Sequence, residues 1–419
     1  MSNRIETATS CASPFEEDAL SVADAQLHIL DQITPLADKQ KRPLRDCLGK
    51  VLAEPVISPS NVPGHTNSAM DGYALSGASL PADNIETFRV VGKAMAGVAF
   101  KGECGAGECV RIMTGAMMPA STDTVVMQEQ VEVLDDVSVN IGSGHRTGQN
   151  VRQAGEDIAK GEPVFDIGHK VSAADLGILA SFGIAELAVK RRLRVAFFST
   201  GDELRSVGET LTDGQIYDSN RYTLYGMLTQ SGVDIIDLGV IPDVPERIHE
   251  AFESAASMAD VVITSGGVSV GEADYIKPTL RKMGDMNFRK IAMKPGRPLT
   301  YGQLGNAHFF GLPGNPVAVM VTFLQFVKPA LHKLSGQLAT PRLRFKARCK
   351  DAIRKRPGRT EFQRGIYSQG DDGELEVQLT GRQGSGILRS MSLANCFIVL
   401  SDEQSDVSVG DWVQLEPIM

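Results

Sequence analysis

The stretch from Leu193 to Leu334 constrains the fold most, because apolar runs of strand length and helical patterns take turns along it. Leu193–Phe198, Val233–Leu238 and the run at Val261 read as strands, with helices expected over Asp218–Gln230 and Pro245–Ser257. Tyr275–Met283 reads as a further helix, Phe288–Met293 and the runs at Leu299 and Phe309 as strands, and Val317–Leu334 as a long closing helix. Strands separated by helices are joined by crossovers, so the expectation is a parallel, doubly wound α/β sheet with helices on both faces. Ligands of such sheets sit beyond the carboxyl ends of the strands.

Three loops fall at those ends: Ser199-Thr200-Gly201-Asp202-Glu203, Thr264-Ser265-Gly266-Gly267-Val268-Ser269, and Gly311-Leu312-Pro313-Gly314-Asn315-Pro316. Each sets glycine beside hydroxyl or amide groups. A strand that stops at glycines and restarts as a helix leaves bare N–H groups, a cradle for an anion. Asp202, Glu203, Asp243 and Asp274 join these loops. Singly such carboxylates are caps or solvated turns. Together, beside anion cradles, they suit Mg²⁺, which bridges protein carboxylates to substrate phosphates.

Positive charge comes from Lys290, Lys294 and Arg297, in a segment whose prolines and glycine fix its path, so Lys294 and Arg297 are placed to meet one oxyanion. A second basic group comprises Arg354, Lys355, Arg356, Arg359, Arg364, Arg382 and Arg389. Solvated charge is the ordinary explanation for these. Arg359 and Arg382, however, stand in glycine-rich loops of a chain with net charge −9, which favours a second anion contact.

The rest of the 419 residues exceeds one core and implies several domains. Phe15–Asp31 reads as an amphipathic helix, Phe88–Ile141 as strand-rich, and Val171–Phe182 as a helix with Ser172 as N-cap and Gly183 as stop. After Gly336 strands and turns predominate, pointing to a β-barrel or sandwich. The expected division is 15–60 plus 145–190, with 61–144 inserted as a β-rich domain, then 191–336 and 337–419. Asp71-Gly72 and Thr114-Gly115 read locally as turns.

The acidic balance, with a pI near 5.4, argues against a nucleic-acid binder. No apolar run in the sequence approaches the roughly 20 residues of a membrane span, and no signal-peptide core is visible, so a cytoplasmic protein without membrane contact is expected. The six cysteines are scattered and read as reduced thiols. No HExxH or Walker A pattern occurs, and Val110 replaces the third glycine of a dinucleotide fingerprint.

Several ordered motifs together resemble one family: Asn67-Ser68-Ala69-Met70-Asp71-Gly72-Tyr73-Ala74, Arg111-Ile112-Met113-Thr114-Gly115, Gly155-Glu156-Asp157, Ser199-Thr200-Gly201-Asp202-Glu203-Leu204, Ser265-Gly266-Gly267-Val268-Ser269-Val270-Gly271, Lys294-Pro295-Gly296 and Gly311-Leu312-Pro313-Gly314-Asn315-Pro316. The chain resembles the molybdopterin molybdenumtransferases, bacterial MoeA and the E domain of gephyrin, over nearly its whole length. Arg297 departs from the lysine of many relatives and keeps the charge with another geometry.

The resemblance implies an elongated multidomain chain: a molybdopterin-binding α/β doubly wound domain, a mixed α+β domain, a small β domain and a C-terminal β-barrel. It also implies a homodimer whose cleft lies between the α/β domain of one subunit and the inserted domain of the other. The implied reaction takes adenylylated molybdopterin and molybdate as substrates, uses Mg²⁺, and releases AMP. Asp71, Thr114 and Asp157 thereby become catalytic candidates beside Glu203, Asp243, Asp274, Lys290 and Lys294. Thr200, Gly201, Ser265, Gly266, Gly267, Ser269, Arg297, Pro313, Gly314, Asn315, Pro316, Arg359, Arg382 and Ser385 are the implied ligand contacts. Within these roles, Lys294, Arg297, Pro313 and Ser385 surround the molybdate route and Lys290 supports the anionic substrate. A molybdopterin adenylyltransferase and molybdoenzyme maturation proteins are the implied partners. A non-catalytic scaffold of the same fold is the competing class, since fold does not settle function.

Overall fold

The structure, a computed structural model, describes residues 19–266 and 276–418. Contacts divide the chain into two compact units: Met1–Gln40, Gly49–Val51 and Lys190–Met419 form one, Lys41–Leu48 and Leu52–Val189 the other.

The first unit is built on a six-stranded sheet in the order Asp234–Ile241, Arg194–Thr200, Val261–Ser265, Ala307–Leu312, Pro298–Leu304, Gly284–Lys290. The first four strands are parallel. Successive residues of the Arg194 strand face opposite ways, so Val195 and Phe197 enter one core and Ala196 and Phe198 the other. The helices Ser219–Gln230 and Pro316–Leu334 bury their apolar stripes in the first core, and Pro245–Met258 and Ile276–Met283 in the second.

Three features of the sheet and its helices depart from the sequence expectation. The Pro298 and Gly284 strands run antiparallel to their neighbours, because the turn at Gly305-Asn306 pairs Leu304 with Ala307 and leaves no room for a crossover. The first helix spans only Val22–Asp31 from an N-cap at Ser21. Helix Pro316–Leu334 is, contrary to the reading of the sequence, long and apolar enough to cross a membrane by length and composition, yet 67% of its apolar 18-residue stretch is buried inside the fold. Lys328, His332 and Lys333 interrupt its polar side.

Beyond this domain a five-stranded barrel closes when Thr360–Gln369 pairs with both Leu375–Leu379 and Cys396–Leu400. Phe345–Cys349 and Trp412–Pro417 complete it around Ala347, Val377, Ile398 and Leu415. The sequence reading had no strand over 360–369, where charged and polar residues interrupt the apolar pattern.

The second unit carries a six-stranded sheet in the order Thr124–Met127, Gly72–Leu75, Glu108–Ile112, Glu86–Ala94, Ser138–Ile141, Val131–Asp135, with a small core on each face. A separate core gathers Cys47, Leu52, Val56, Val171, Leu179 and Val189 around the helix Ala173–Ser181. Ser172 and Asp175 form a reciprocal capping box at that helix's start, as the sequence predicts for the Ser172 cap. Among the described residues Cys47, Cys104, Cys109, Cys349 and Cys396 are free thiols.

Candidate active site at the carboxyl edge of the central sheet

The chain moves outward from the Arg194 strand to the Asp234 strand, then returns to lay the Val261 strand on the other side. That reversal falls between the strand ends at Thr200 and Ser265, the usual binding position in sheets of this kind. Ser199 and Ser265 share a hydroxyl–hydroxyl contact of 3.0 Å between the two strand ends.

The loops at this edge are in contact. Gly266 has φ +92°, and a Cβ there would lie 2.9 Å from the Thr200 carbonyl oxygen. Its N–H donates to Leu312 O at 3.1 Å. A Cβ on Gly314 would lie 3.9 Å from the Gly266 Cα, and Asn220 Nδ2 donates to the Gly314 carbonyl at 2.7 Å. The sequence reading missed Asn220; its only local signal was a helix start at Asp218-Ser219-Asn220. The Pro316 helix begins at Asn315 with no side-chain cap, and Val317 N–H donates to the Ser385 carbonyl at 3.0 Å. Four loops from two domains thus meet beside the exposed turn Gly314-Asn315, with glycine where side chains would crowd a ligand.

Carboxylates stand along the same edge. The Glu203 carboxylate covers Gly201, where a Cβ would approach its Oε2 to 2.6 Å. Asp243 N–H donates to Asp202 Oδ1 at 3.2 Å, so these two acidic residues are neighbours. Their oxygen donors have the chemistry Mg²⁺ selects, and one or two carboxylates suffice when substrate phosphates supply the remaining ligands. No preassembled group of three His, Cys, Asp or Glu exists among the described residues. Gly267, Ser269 and Asp274 lie outside the described residues.

A second constellation surrounds Glu361, which is 4% exposed. Lys294 Nζ approaches its Oε1 to 3.3 Å, and Gln363 donates to its Oε2. Lys355, also 4% exposed, gives its ammonium to the carbonyls of Arg356 and Gln404. Burial first, and then the charges of Arg359 and Lys294, push its pKa down, opposed by Glu361 and Asp402. Lys294, Lys355 and Arg359 thus share a cluster of both signs with Glu361 and Asp402. The loop carrying Lys294 reaches the Pro316 helix, where a Cβ on Gly296 would lie 2.6 Å from Thr322 Cγ2.

Arg364 corrects the reading of the C-terminal arginines as solvated charge. It is 1% exposed, and burial drives its pKa down to about 10. Its guanidinium donates to Ser390 Oγ, Phe362 O and Gly384 O, while its N–H donates to Gln383 Oε1. Arg364 thus fixes the glycine loop whose next residue, Ser385, meets the Pro316 helix. A lone arginine inside a strand carries no sequence signal for such a role.

Lys290 and Arg382 are exposed; the Lys290 carbonyl accepts from Leu20 N–H. Arg297 is half-buried, and its carbonyl accepts from Ile291 N–H. In the second unit Asp71 Oδ1 accepts both the N–H and the hydroxyl of Thr114, each at 2.7 Å. Those bonds, the backbone one foremost, hold the Asp71 carboxyl below its ordinary pKa. The two readings as independent turns are replaced by one paired site. Asp157 is exposed, and its N–H donates to Val62 O at 3.1 Å.

Three family matches cover this architecture end to end: the MoeA N-terminal region (domain I and II) over residues 20–183, the probable molybdopterin binding domain over 196–333, and the MoeA C-terminal region (domain IV) over 346–418. A molybdopterin molybdenumtransferase of Haemophilus influenzae is 45% identical over 95% of this chain and 98% of its own. The chain belongs to the molybdopterin molybdenumtransferase family. Gephyrin of Dictyostelium discoideum is 32% identical over 92% of the chain, which spans 60% of that protein. A crystal structure of the molybdopterin biosynthesis MoeA protein from Pyrococcus horikoshii superposes with a TM-score of 0.84 at 28% identity, covering 96% of this chain and 100% of that one.

Proposed function

We propose that this enzyme of molybdenum cofactor biosynthesis inserts molybdate into adenylylated molybdopterin and releases AMP. The observation that carries the reading is the meeting of Thr200, Gly266 and Gly314 at the sheet's switch point, with the carboxylates of Asp202 and Glu203 on the same edge. A phosphoanhydride needs both: backbone N–H groups to cradle it and charge to stabilise its cleavage.

Asp202 and Asp243, with Glu203 above Gly201, are the residues that would hold Mg²⁺ beside the phosphates. When bound there, Mg²⁺ supplies Lewis-acid polarisation of the phosphate oxygens. Asp274 belongs to the same proposed set. The exposed backbone of Gly314 and Asn315 before the Pro316 helix orients the anion, with Pro313 and Ser385 shaping that loop. Lys294, Lys355 and Arg359 steady the tetrahedral molybdate, with Arg297 on the same loop as Lys294. Lys290 and Arg382 add longer-range attraction for anionic substrates.

The proposal includes a homodimer in which the Asp71–Thr114 pair of one copy serves the sheet edge of the other. Tyr222 and Tyr225 on the Ser219 helix, 54% and 53% exposed, support an apolar contact there. It also includes a cytoplasmic location and a molybdopterin adenylyltransferase as supplier of substrate.

The test is incubation of the purified chain with adenylylated molybdopterin, Mg²⁺ and molybdate. Molybdate-dependent appearance of AMP is the expected result. Bound substrate that yields no AMP would overturn the reading in favour of a scaffold.

A further inference from the structure

Buried polar atoms in folded proteins are nearly always hydrogen-bonded, so unpaired ones mark places built for a partner. Among the described residues six buried side-chain atoms have none, and four of them belong to the carboxyl edge of the central sheet: Thr200 Oγ1, Thr264 Oγ1, Asp218 Oδ2 and Asn220 Oδ1. The last two stand together at the start of the Ser219 helix.

Asp218 is 2% exposed. Its Oδ1 caps the helix by accepting Arg221 N–H at 3.1 Å, which leaves Oδ2 unused. The Arg221 guanidinium does not bond it, being committed to Asp237 at 2.8 Å. Asn220 places its Nδ2 on the Gly314 carbonyl, and that acceptor fixes which end of the amide remains: Oδ1, unpaired. Both leftover atoms are therefore acceptors. A phosphate or molybdate oxygen is itself an acceptor and satisfies neither. What satisfies both is a hydrogen-bond donor one bond away from the Gly311–Pro316 loop, and the N–H groups of an amino-heterocycle supply a pair of them.

We infer that Asp218 and Asn220 read the N–H edge of the substrate's amino-heterocycle, beside the loop that cradles its phosphate. The inference rests on the reading of a nucleotide-activated pterin, in which both the purine and the pterin carry an amino group on the ring. The shared chemistry is an exocyclic amine on a nitrogen heterocycle. A site that hydrogen-bonds such a group rejects the analogue lacking it, because its own buried atoms are then left unpaired.

Calorimetric binding of two ligand pairs to the full chain tests this: AMP against inosine monophosphate, and 6-hydroxymethylpterin against 6-hydroxymethyllumazine. Each second member replaces the amine with an oxo group. Wild type is expected to prefer the amine-bearing member of one pair at least about ten-fold, and that pair identifies the ring. Asp218→Asn keeps a capping oxygen while its amide NH₂ replaces the unused one. The variant is expected to lose the preference while inorganic phosphate binds as before or tighter. Equal binding, or no binding, of all four ligands to wild type overturns the inference, and so does an Asp218→Asn protein that keeps the preference. Tightening of every anionic ligand with no change in preference overturns it too, because the carboxylate would then act by charge alone. The wild-type comparison stands even if the variant does not fold. Molybdate-dependent AMP release without an amine preference would sink this inference and leave the proposed function standing; loss of AMP release itself sinks the function.

Discussion

At the scale of single residues, some groups act through charge and others hold their neighbours in place. Asp71 has its carboxylate fixed by Thr114 and its pKa lowered, so it stays ionised through the neutral range. Asp71→Asn keeps the acceptor oxygen and removes only the charge. We expect AMP release to fall by about ten-fold or more while thermal unfolding stays put, since exposed pairs contribute about 0–1 kcal/mol to stability. Unchanged turnover would remove Asp71 from the machinery. Arg364 is the opposite kind: buried, without a carboxylate, and bonded to the loop before Ser385. Arg364→Met keeps the volume but strips hydrogen bonds from Ser390 Oγ, Phe362 O and Gly384 O, and each buried acceptor left unpaired costs about 1–3 kcal/mol. The melting temperature should therefore fall and KM for molybdate rise, Arg364→Lys should recover part of both by keeping a donor, and an unchanged KM in Arg364→Met would remove the loop-fixing role. Neither role was legible beforehand, because desolvation and bonding partners are set by residues far away in the chain.

At the scale of elements, the edge loops depend on backbone that tolerates no side chain. Gly266 combines a positive φ with the Thr200 carbonyl directly in the path of a Cβ. Gly266→Ala should cost about 1–3 kcal/mol in strain and separate the loops, and AMP release should drop more steeply than stability measured by urea unfolding. A variant with wild-type kinetics would show that the loops need not touch. The hairpin Pro298–Leu304 and Ala307–Leu312 supplies a pH test. His308 is buried beside Tyr301, with Nδ1 3.1 Å from the phenolic oxygen, and burial lowers its pKa from the ordinary 6.5. The unfolded chain then takes up the proton first as pH falls. The contribution of His308 is complete above about pH 6.5 and declines below it toward the folded value. Denaturation midpoints measured across that window should show a slope that His308→Gln flattens. Helix starts such as Ser172 and Asp218 were readable because a cap and its helix are neighbours in sequence. The antiparallel edge of the sheet was not, since an apolar run does not state which partner it will pair with.

At the scale of the whole molecule, the barrel and the α/β domain are tied by a buried polar knot. Glu416 accepts from Gln325 at 2.7 Å, Arg342 at 2.9 Å and Arg344 at 3.0 Å, and Gln325 lies in the π-helical turn Phe323–Val327 of the long helix. Glu416→Ala leaves the buried Gln325 amide without its acceptor and half-buried Arg342 without its counter-charge, a loss of about 1–3 kcal/mol. A lowered melting temperature together with faster proteolysis between residues 337 and 344 is the expected outcome; a wild-type melt would dissolve the knot as a support. The same helix carries the loop contacts of Gly314 and Ser385 at its start, so the knot and the site share one rigid element.

Strand and helix periodicity, capping residues and glycine positions were determined by the sequence alone, and with them the α/β class, the three edge loops and the family resemblance. These features depend on a window of a few residues, where side-chain size and backbone sterics act directly. Tertiary structure alone decided that Thr360–Gln369 closes the barrel and that Lys294 is matched by Glu361. It also decided that Arg364 and Lys355 are buried, and that Asp218 and Asn220 keep acceptors unpaired. Strand pairing, desolvation and charge balance arise between residues distant in the chain, and they take definite values only once the chain has brought those residues together.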